Sequence, residues 1–261
     1  MTIVKHELRM GRLSLAVWTG AIGFLLVICV MLYPEMKGDM ESVNQVFSSM
    51  GSFSEAFGMD KVSFGSLMGF YAIECGNVLG IGGAFFAALC AAGSLSKEEK
   101  EHTAEFLLTH PVSRVMIVTG KQISVMLQIA VMNIVIFLLA VISMALIDED
   151  ISWKEFMLLH LSYLLLQVEI AGICFGVSAV LKNGSTGIGL GIAAVMYFLN
   201  IIANITDKAD FLKYITPFGY AEGTDIVTDG CIEAGYLIPG IIYCIAGIAA
   251  AYVIYCRKDI S

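Results

Sequence analysis

Two carboxylates lie inside long apolar stretches of this chain, where an ionisable side chain is uncommon. Glu74 precedes Asn77 by about one helical turn, and Glu169 lies near the middle of another apolar stretch. A charged side chain in membrane hydrocarbon costs roughly 3 kcal/mol or more, and it usually faces the interior of a helix bundle. These residues are therefore candidates for a transport path or a cation site. The alternative is protonated carboxyl groups that hydrogen-bond between helices, with Glu74 reaching the outer interface.

Residue types that perform catalysis or hold metals do not form a recognisable pattern. Of the 7 cysteines, only Cys231 falls in a predicted outer loop, and the 4 histidines lack the spacing of metal ligands. Gly120-Lys121 is followed by Gln122, and no glycine stands five residues earlier, so the phosphate-binding loop G-x-x-x-x-G-K-[ST] is absent. We expect no catalytic site, metal or cofactor in this chain, and any use of ATP requires another polypeptide.

Apolar stretches long enough to cross a bilayer dominate the sequence, which is 58% hydrophobic. A helix needs about 20 apolar residues to span the hydrocarbon. The continuous apolar character excludes a strand barrel, which requires alternation. The sequence therefore predicts an all-α membrane protein, with residues 1–261 forming one transmembrane domain. The six predicted spans are 13–33, 67–95, 123–147, 157–181, 186–205 and 236–255.

The positions of Lys and Arg predict the orientation, because basic residues concentrate on the cytoplasmic side. Six spans place both termini on one side, and that side holds ten of the 15 basic residues. The prediction is a multi-pass protein of the cell membrane with both termini in the cytoplasm. Most carboxylates fall in the outer loops, so the net charge of −8 gives no indication of nucleic-acid binding. The ten basic residues are Lys5, Arg9, Arg12, Lys97, Lys100, Arg114, Lys121, Lys182, Arg257 and Lys258.

Residues 1–33 have the basic start and apolar run that are also found in signal peptides. The run is too long and offers no small-residue cleavage site, which favours a retained first span. Lys5, Arg9 and Arg12 fall at i, i+4 and i+7, so residues 2–12 could lie flat on the membrane as an amphipathic helix. The alternative is that these charges only set the topology.

A charged segment, residues 96–121, separates the second and third predicted spans. Ser96 and Glu99 have the spacing of a capping box, which predicts a helix start at this point. Pro111 should end that helix, since proline removes a backbone donor and disfavours helix at the preceding residue. Ser113 can cap a second helix that continues into the third span. By composition alone this could be an ordinary surface helix that connects two spans.

The same segment resembles a signature of type-2 ATP-binding-cassette (ABC) transporter permeases. The family pattern Gly-Thr-x-Glu-x-Leu-Leu, followed by Pro-x-Ser-Arg and Gly-Lys, is similar to 101–108 (EHTAEFLL), 111–114 (PVSR) and Gly120-Lys121. The chain departs from it at His102, where the family usually has glycine. The six predicted spans and the aromatic segment 214–220 before the sixth are also similar to the family architecture.

The resemblance implies a membrane-spanning permease subunit of an exporter that carries a cytoplasmic coupling helix between the second and third spans. It implies a cytoplasmic ABC ATPase subunit that binds ATP and Mg²⁺, and a second, identical or different, permease subunit. The residues that it assigns to docking the ATPase or holding the coupling helix are Glu101, Glu105, Phe106, Leu107, Leu108 and Arg114.

The segment from Phe211 to Ile226, between the fifth and sixth spans, is apolar enough to dip into the membrane. Pro217 and Gly219 would break such a re-entrant piece, and the aromatic residues favour membrane contact. The alternative is a loose polar loop. The resemblance likewise implies a re-entrant piece.

Two other functions are compatible with the sequence. The chain could be a sensor or immunity component that uses the 96–121 segment to recruit a cytoplasmic partner without transporting anything. It could also be an autonomous ion-coupled transporter, which only Glu74 and Glu169 favour. The substrate does not follow from the sequence, because six apolar helices are compatible with peptides, antibiotics, lipids and small ions.

Overall fold

The computed structural model describes residues 2–39, 44–46, 49–59, 61–100, 112–147, 149–181 and 186–258. Within these residues the chain forms helices and turns with no strand, and six of the helices are long and apolar enough to cross a membrane. The predicted all-α, six-span fold is confirmed. The spans are Thr2–Met36, Leu67–Ala92, Arg114–Leu146, Trp153–Val180, Thr186–Ile205 and Ala234–Arg257.

The first span is longer than its predicted bounds. It has 35 residues, or about 52 Å of helix, whereas the hydrocarbon core is about 30 Å thick. Residues 2–12 continue this helix instead of forming a separate surface helix, and Lys5, Arg9 and Arg12 on it are exposed. The pattern of apolar residues did not predict this extension, because it does not distinguish a polar helix end from a polar loop.

The third span also begins earlier than predicted, at Arg114. Ser113 has extended backbone and its Oγ accepts a hydrogen bond from the Met116 backbone N–H at 3.2 Å. This bond satisfies one of the free amide groups at a helix start. The predicted Ser113 cap is confirmed, and the helix runs without interruption from the charged segment into the membrane span.

The second span is built from three consecutive pieces. Ser66 caps the short helix Leu67–Phe70, a π-helical turn follows at Tyr71–Cys75, and an α-helix runs over Gly76–Ala92. A π turn inserts an extra residue into a helix and often marks a functional position. Glu74 lies in this turn.

The fourth span lies at the centre of the bundle, where it packs against the second, third and sixth spans. The sixth span approaches it closely at Gly172 and Gly176, which face Gly247 across the interface. A Cβ atom on Gly176 would lie 2.6 Å from the Gly247 carbonyl oxygen. Gly172 and Gly176, four residues apart on the fourth span, permit this close helix packing within the chain.

The fifth and sixth spans are joined by a compact segment of short helices at 207–229. It consists of 3₁₀ helices Asp207–Tyr214 and Pro217–Tyr220 and an α-helix Gly223–Asp229. Residues Pro217–Tyr220 are buried, whereas Phe211 and Tyr214 are exposed. The segment is therefore folded into the bundle and is not a loose loop. We call the end of the bundle that holds both chain termini the termini side, and the end that holds this segment the far side.

Candidate functional site

The predicted coupling helix falls largely outside the described residues. Glu101, Glu105, Phe106, Leu107 and Leu108 all belong to this undescribed stretch, so their roles stay predictions. The structure does describe both flanks of the stretch. A helical turn at Lys97–Lys100 precedes it, and the Ser113 cap follows it.

The predicted capping box at the first flank is only half correct. A helix does begin at Lys97, but the Ser96 Oγ is buried and has no hydrogen-bond partner among the described residues. The Glu99 carboxylate lies 2.8 Å from the Lys258 Nζ and does not serve as the second half of the box. The ammonium group of Lys258 therefore pairs with the Glu99 carboxylate, which the local spacing had assigned to the capping box.

Lys258 links three parts of the molecule on the termini side. Besides Glu99, its Nζ donates a hydrogen bond to the Leu181 carbonyl oxygen at the end of the fourth span, at 3.2 Å. The side chains of Lys258 and Glu99 are 14% and 10% exposed, so water screens this ion pair only weakly. We call residues 96–121, which include the predicted coupling helix, the coupling segment. Its first flank is thereby bonded to the ends of the fourth and sixth spans.

Arg114, at the second flank, holds the same helix end. Its Nη1 donates to the backbone oxygens of Tyr255, at 3.4 Å, and Cys256, at 3.5 Å, and to that of Lys258. The last carbonyl groups of a helix lack partners within the helix, and a cation also interacts favourably with the negative end of the helix dipole. We call Glu99, Arg114 and Lys258 the clamp, because they join both flanks of the coupling segment to the end of the sixth span.

Lys121 makes a further connection near the clamp. Its side chain is 1% exposed, and its Nζ donates to the Ser94 carbonyl oxygen at 2.6 Å and to the Glu7 carboxylate at 3.3 Å. A buried ammonium group requires such partners. The third span is thereby bonded to the end of the second span and to the start of the first.

A cavity of about 380 Å³ opens beside Glu7 on the termini side. Its walls come from the first three spans and the start of the fifth, and they mix apolar side chains with polar ones. Gly11 and Gln128 meet within it, since a Cβ atom on Gly11 would clash with the Gln128 amide. The polar lining residues include Glu7, Ser14, Ser94, Lys97, Ser124 and Gln128.

The three residues predicted for a transport path occupy different surroundings. Asn77 donates from Nδ2 to the Ile73 carbonyl oxygen at 2.7 Å and lines a small cavity on the far side. Glu74 is partly exposed in the π turn. Glu74 and Glu169 are both among the described residues, and neither lines the cavity beside Asn77. The structure does not bring the three side chains into one site, and their shared path stays a prediction.

Glu169 is buried between the fourth and sixth spans. It lies directly against Gly240, where any side chain would clash with its carboxylate, and it faces the Tyr220 hydroxyl. Neither carboxylate oxygen forms a hydrogen bond of ordinary geometry with the described residues. This confirms that an ionisable group faces the bundle interior, as expected for a carboxylate in a span.

A third acidic residue, which the sequence analysis missed, lies on the far side. Glu222 precedes the helix Gly223–Asp229, and its Oε2 accepts hydrogen bonds from the amides of Asn200 and Asn204 at 3.0 Å each. The available signal was the spacing of two asparagines one turn apart on the otherwise apolar fifth span. Asparagines in a span are expected to bond across helices or to line a path, and these two bond to Glu222 in the segment between the fifth and sixth spans.

Comparison with protein families agrees with this architecture. A family described as ABC-2 family transporter protein matches residues 1–260 of the chain. No curated protein matches the sequence. The family match covers all six spans, the clamp and the far-side segment. This chain is therefore a multi-pass membrane protein that belongs to the ABC-2 transporter family.

Proposed function

We propose that this chain is the membrane-spanning permease subunit of an ABC exporter in the cell membrane. The observation that carries the proposal is the family match over residues 1–260, because it includes every span and the charged segment between the second and third. Permeases of this family generally act with an ATPase subunit. A cytoplasmic ABC ATPase and a second permease subunit, identical or different, would complete the transporter.

The need for a separate ATPase is supported by the sequence itself. The full chain contains no G-x-x-x-x-G-K-[ST] segment, so it lacks the backbone cradle and lysine that hold the phosphates of ATP in that fold. ATP and Mg²⁺ would bind to the partner. In this arrangement the permease supplies the path through the membrane, and the ATPase supplies the energy.

In the predicted orientation the clamp lies on the cytoplasmic side, where the ATPase would bind. By sequence, ten of the 15 Lys and Arg residues are predicted on the termini side, which favours a cytoplasmic location for that side. In this proposal Glu101, Glu105 and the apolar residues 106–108 dock the ATPase. Arg114 has a different role, since it holds the sixth span and transmits movement of the docked segment.

The contacts of the clamp support such transmission. A segment joined to the bundle only through its chain ends could move without moving other helices. Here Lys258 bonds to Glu99 and Leu181, and Arg114 bonds to the end of the sixth span. A displacement of the coupling segment would therefore act on the third, fourth and sixth spans together.

The test is to co-express the chain with an ATPase encoded in an adjacent reading frame and to reconstitute the complex in lipid nanodiscs. We expect the two chains to copurify and the permease to stimulate ATP hydrolysis. Glu105→Arg should abolish copurification or stimulation with membrane insertion retained, and Asp229→Arg on the far side serves as the matched control. Transport by the chain alone, with no ATPase bound, would refute the proposal in favour of an autonomous transporter.

A further inference from the structure

Glu222, Asn200 and Asn204 form a small polar cluster on the far side. The clamp and the coupling segment are not part of it. Asn200 and Asn204 lie one turn apart on the fifth span, and both donate from Nδ2 to the same oxygen, Glu222 Oε2, at 3.0 Å. Asn204 also reaches the Ala56 carbonyl oxygen at 3.4 Å. These bonds attach the segment between the last two spans to the fifth span.

Two hydrogen-bond acceptors of the cluster have no donor among the described residues. The Oδ1 atoms of Asn200 and Asn204 are both buried, and neither has a hydrogen-bond partner among the described residues. The Asn200 side chain is only 4% exposed, so bulk water does not satisfy this oxygen. A buried acceptor without a hydrogen bond is unfavourable for the folded state. Beside the carboxylate of Glu222, the buried Asn200 oxygen calls for a species that is positively charged or donates hydrogen bonds. Asn204 contributes through its hydrogen bond to Glu222, and it lines a separate cavity with Lys61 and Lys213.

Asn200 and Glu222 line a cavity whose size limits what could bind beside them. Its volume is about 30 Å³, and it lies between the second, fourth and fifth spans. One water molecule occupies about 30 Å³ in the liquid. The cavity therefore accommodates a single small ion or a water molecule, and it is too small for a transported organic substrate. Its polar lining residues are Asn77, Tyr163, Tyr197, Asn200 and Glu222.

The charges around Glu222 do not neutralise it. Lys61 acts on the pKa of Glu222, but its Nζ forms an ion pair with Asp225 at 2.6 Å. Burial raises the pKa of Glu222, and its amide partners, most strongly Asn204, oppose the rise; Asp225 raises the pKa further, whereas Lys61 lowers it. The other titratable groups that face the carboxylate are the phenols of Tyr163 and Tyr197. Among the described residues, no cation forms an ion pair with the Glu222 carboxylate, because Lys61 pairs with Asp225.

We propose that Glu222, Asn200 and Asn204 form a binding site for one monovalent cation, a proton or Na⁺, that holds the 217–230 segment against the fifth span. Either cation balances the single charge of the carboxylate. A proton would also supply an O–H donor, and Na⁺ would accept oxygen ligands, which hard cations prefer. A divalent ion would leave uncompensated positive charge in a buried site, at considerable cost.

The purified chain in detergent tests this site without any ATPase. Thermal unfolding would be measured from about pH 4 to about pH 8, in NaCl and in choline chloride of equal ionic strength. If the cation is a proton, the stability contribution of Glu222 is fully present below the unfolded-state pKa and is lost as pH rises through the raised folded-state pKa. Na⁺ binding would instead raise the Tm at pH 8 by about 2 °C or more over choline chloride.

Two variants make the result decisive. Glu222→Gln should remove the pH effect or the Na⁺ effect, whereas Asp229→Asn, which neutralises an exposed carboxylate of the same segment, should retain it. If Glu222→Gln does not fold, Asn204→Ala provides the test, because loss of one amide donor should move the pH midpoint upward or weaken Na⁺ binding. Equal pH and Na⁺ responses in the wild type and in these variants would overturn the proposal.

Discussion

Lys258 and Glu99 are 159 residues apart in sequence, yet the Lys258 Nζ lies 2.8 Å from the Glu99 carboxylate. Lys258 directly follows the sixth span, and Glu99 lies just before the undescribed part of the coupling segment. Both side chains are mostly buried, which strengthens a charge-assisted hydrogen bond relative to a pair in water. The relationship connects the segment that, in the proposed function, binds the ATPase with a helix that crosses the membrane.

Breaking this pair should destabilise the termini side and weaken coupling. Lys258→Glu places two carboxylates together, so we expect a loss of about 1–3 kcal/mol in the free energy of unfolding and reduced stimulation of the ATPase. The double variant Lys258→Glu/Glu99→Lys restores opposite charges and should recover much of both. Chemical unfolding in detergent and ATP hydrolysis in nanodiscs provide the measurements.

The pair Lys37–Glu149 is the matched control on the far side. Its two charged atoms lie 2.7 Å apart, but the Lys37 side chain is 48% exposed. Exposed ion pairs contribute about 0–1 kcal/mol, so Lys37→Glu should change stability little and leave ATPase stimulation intact. If both single reversals had equal effects, burial of the Lys258 pair would not explain its importance.

Arg114 should protect the end of the sixth span from fraying. Arg114→Gln removes the charge and the donors to three backbone oxygens, and we expect faster amide hydrogen exchange over the last turn of that helix, with a cost of about 1–2 kcal/mol. Arg114→Lys retains the charge without the planar fork of donors and should give an intermediate effect. Hydrogen exchange followed by mass spectrometry reports this directly.

Arg257→Gln is the control for Arg114→Gln, because Arg257 lies in the last turn of the sixth span and its side chain is exposed. Its substitution should leave exchange of the last turn nearly unchanged. Equal protection in the wild type and Arg114→Gln would mean that the hydrogen bonds of Arg114 do not stabilise the helix end.

Gly176 should tolerate no side chain. Gly176→Ala places a methyl group 2.6 Å from the Gly247 carbonyl oxygen, so the fourth and sixth spans must move apart, at a cost of about 1–3 kcal/mol. Gly191→Ala on the fifth span is the control, because nothing lies within 4 Å of its added methyl group. We expect a lower Tm for the first variant and an unchanged or higher Tm for the second.

Local sequence patterns predicted the helices well, but they did not predict the contacts between side chains that are far apart in sequence. Apolar length identified six spans because each must satisfy its own backbone groups in lipid, and the Ser113 cap depends only on neighbours within one turn. The capping box at Ser96 failed in part, because its Glu99 carboxylate finds a partner 159 residues away. No local pattern contains such a contact.

On the far side, the contacts of Glu222 likewise could not be predicted from local sequence patterns. An acidic residue between two spans looks like an ordinary solvated loop residue in sequence. Its burial depends on how the segment around Pro217–Tyr220 folds into the bundle. The two asparagines of the fifth span indicated a polar partner, but they could not identify which of the 23 acidic residues it was.

Glu169 offers a test of whether a buried carboxylate takes part in transport or only in packing. Glu169→Gln retains the shape of the side chain beside Gly240 and removes its ability to ionise, so a packing role should survive the change. If Glu169 belongs to the transport path, substrate-stimulated ATP hydrolysis by the reconstituted complex should fall or lose its pH dependence while the Tm is retained. Glu74→Gln, in the π turn, tests the second predicted carboxylate in the same assay. Unchanged rates and pH profiles in both variants would remove the two carboxylates from the path and leave Glu169 as a group that only packs between the fourth and sixth spans.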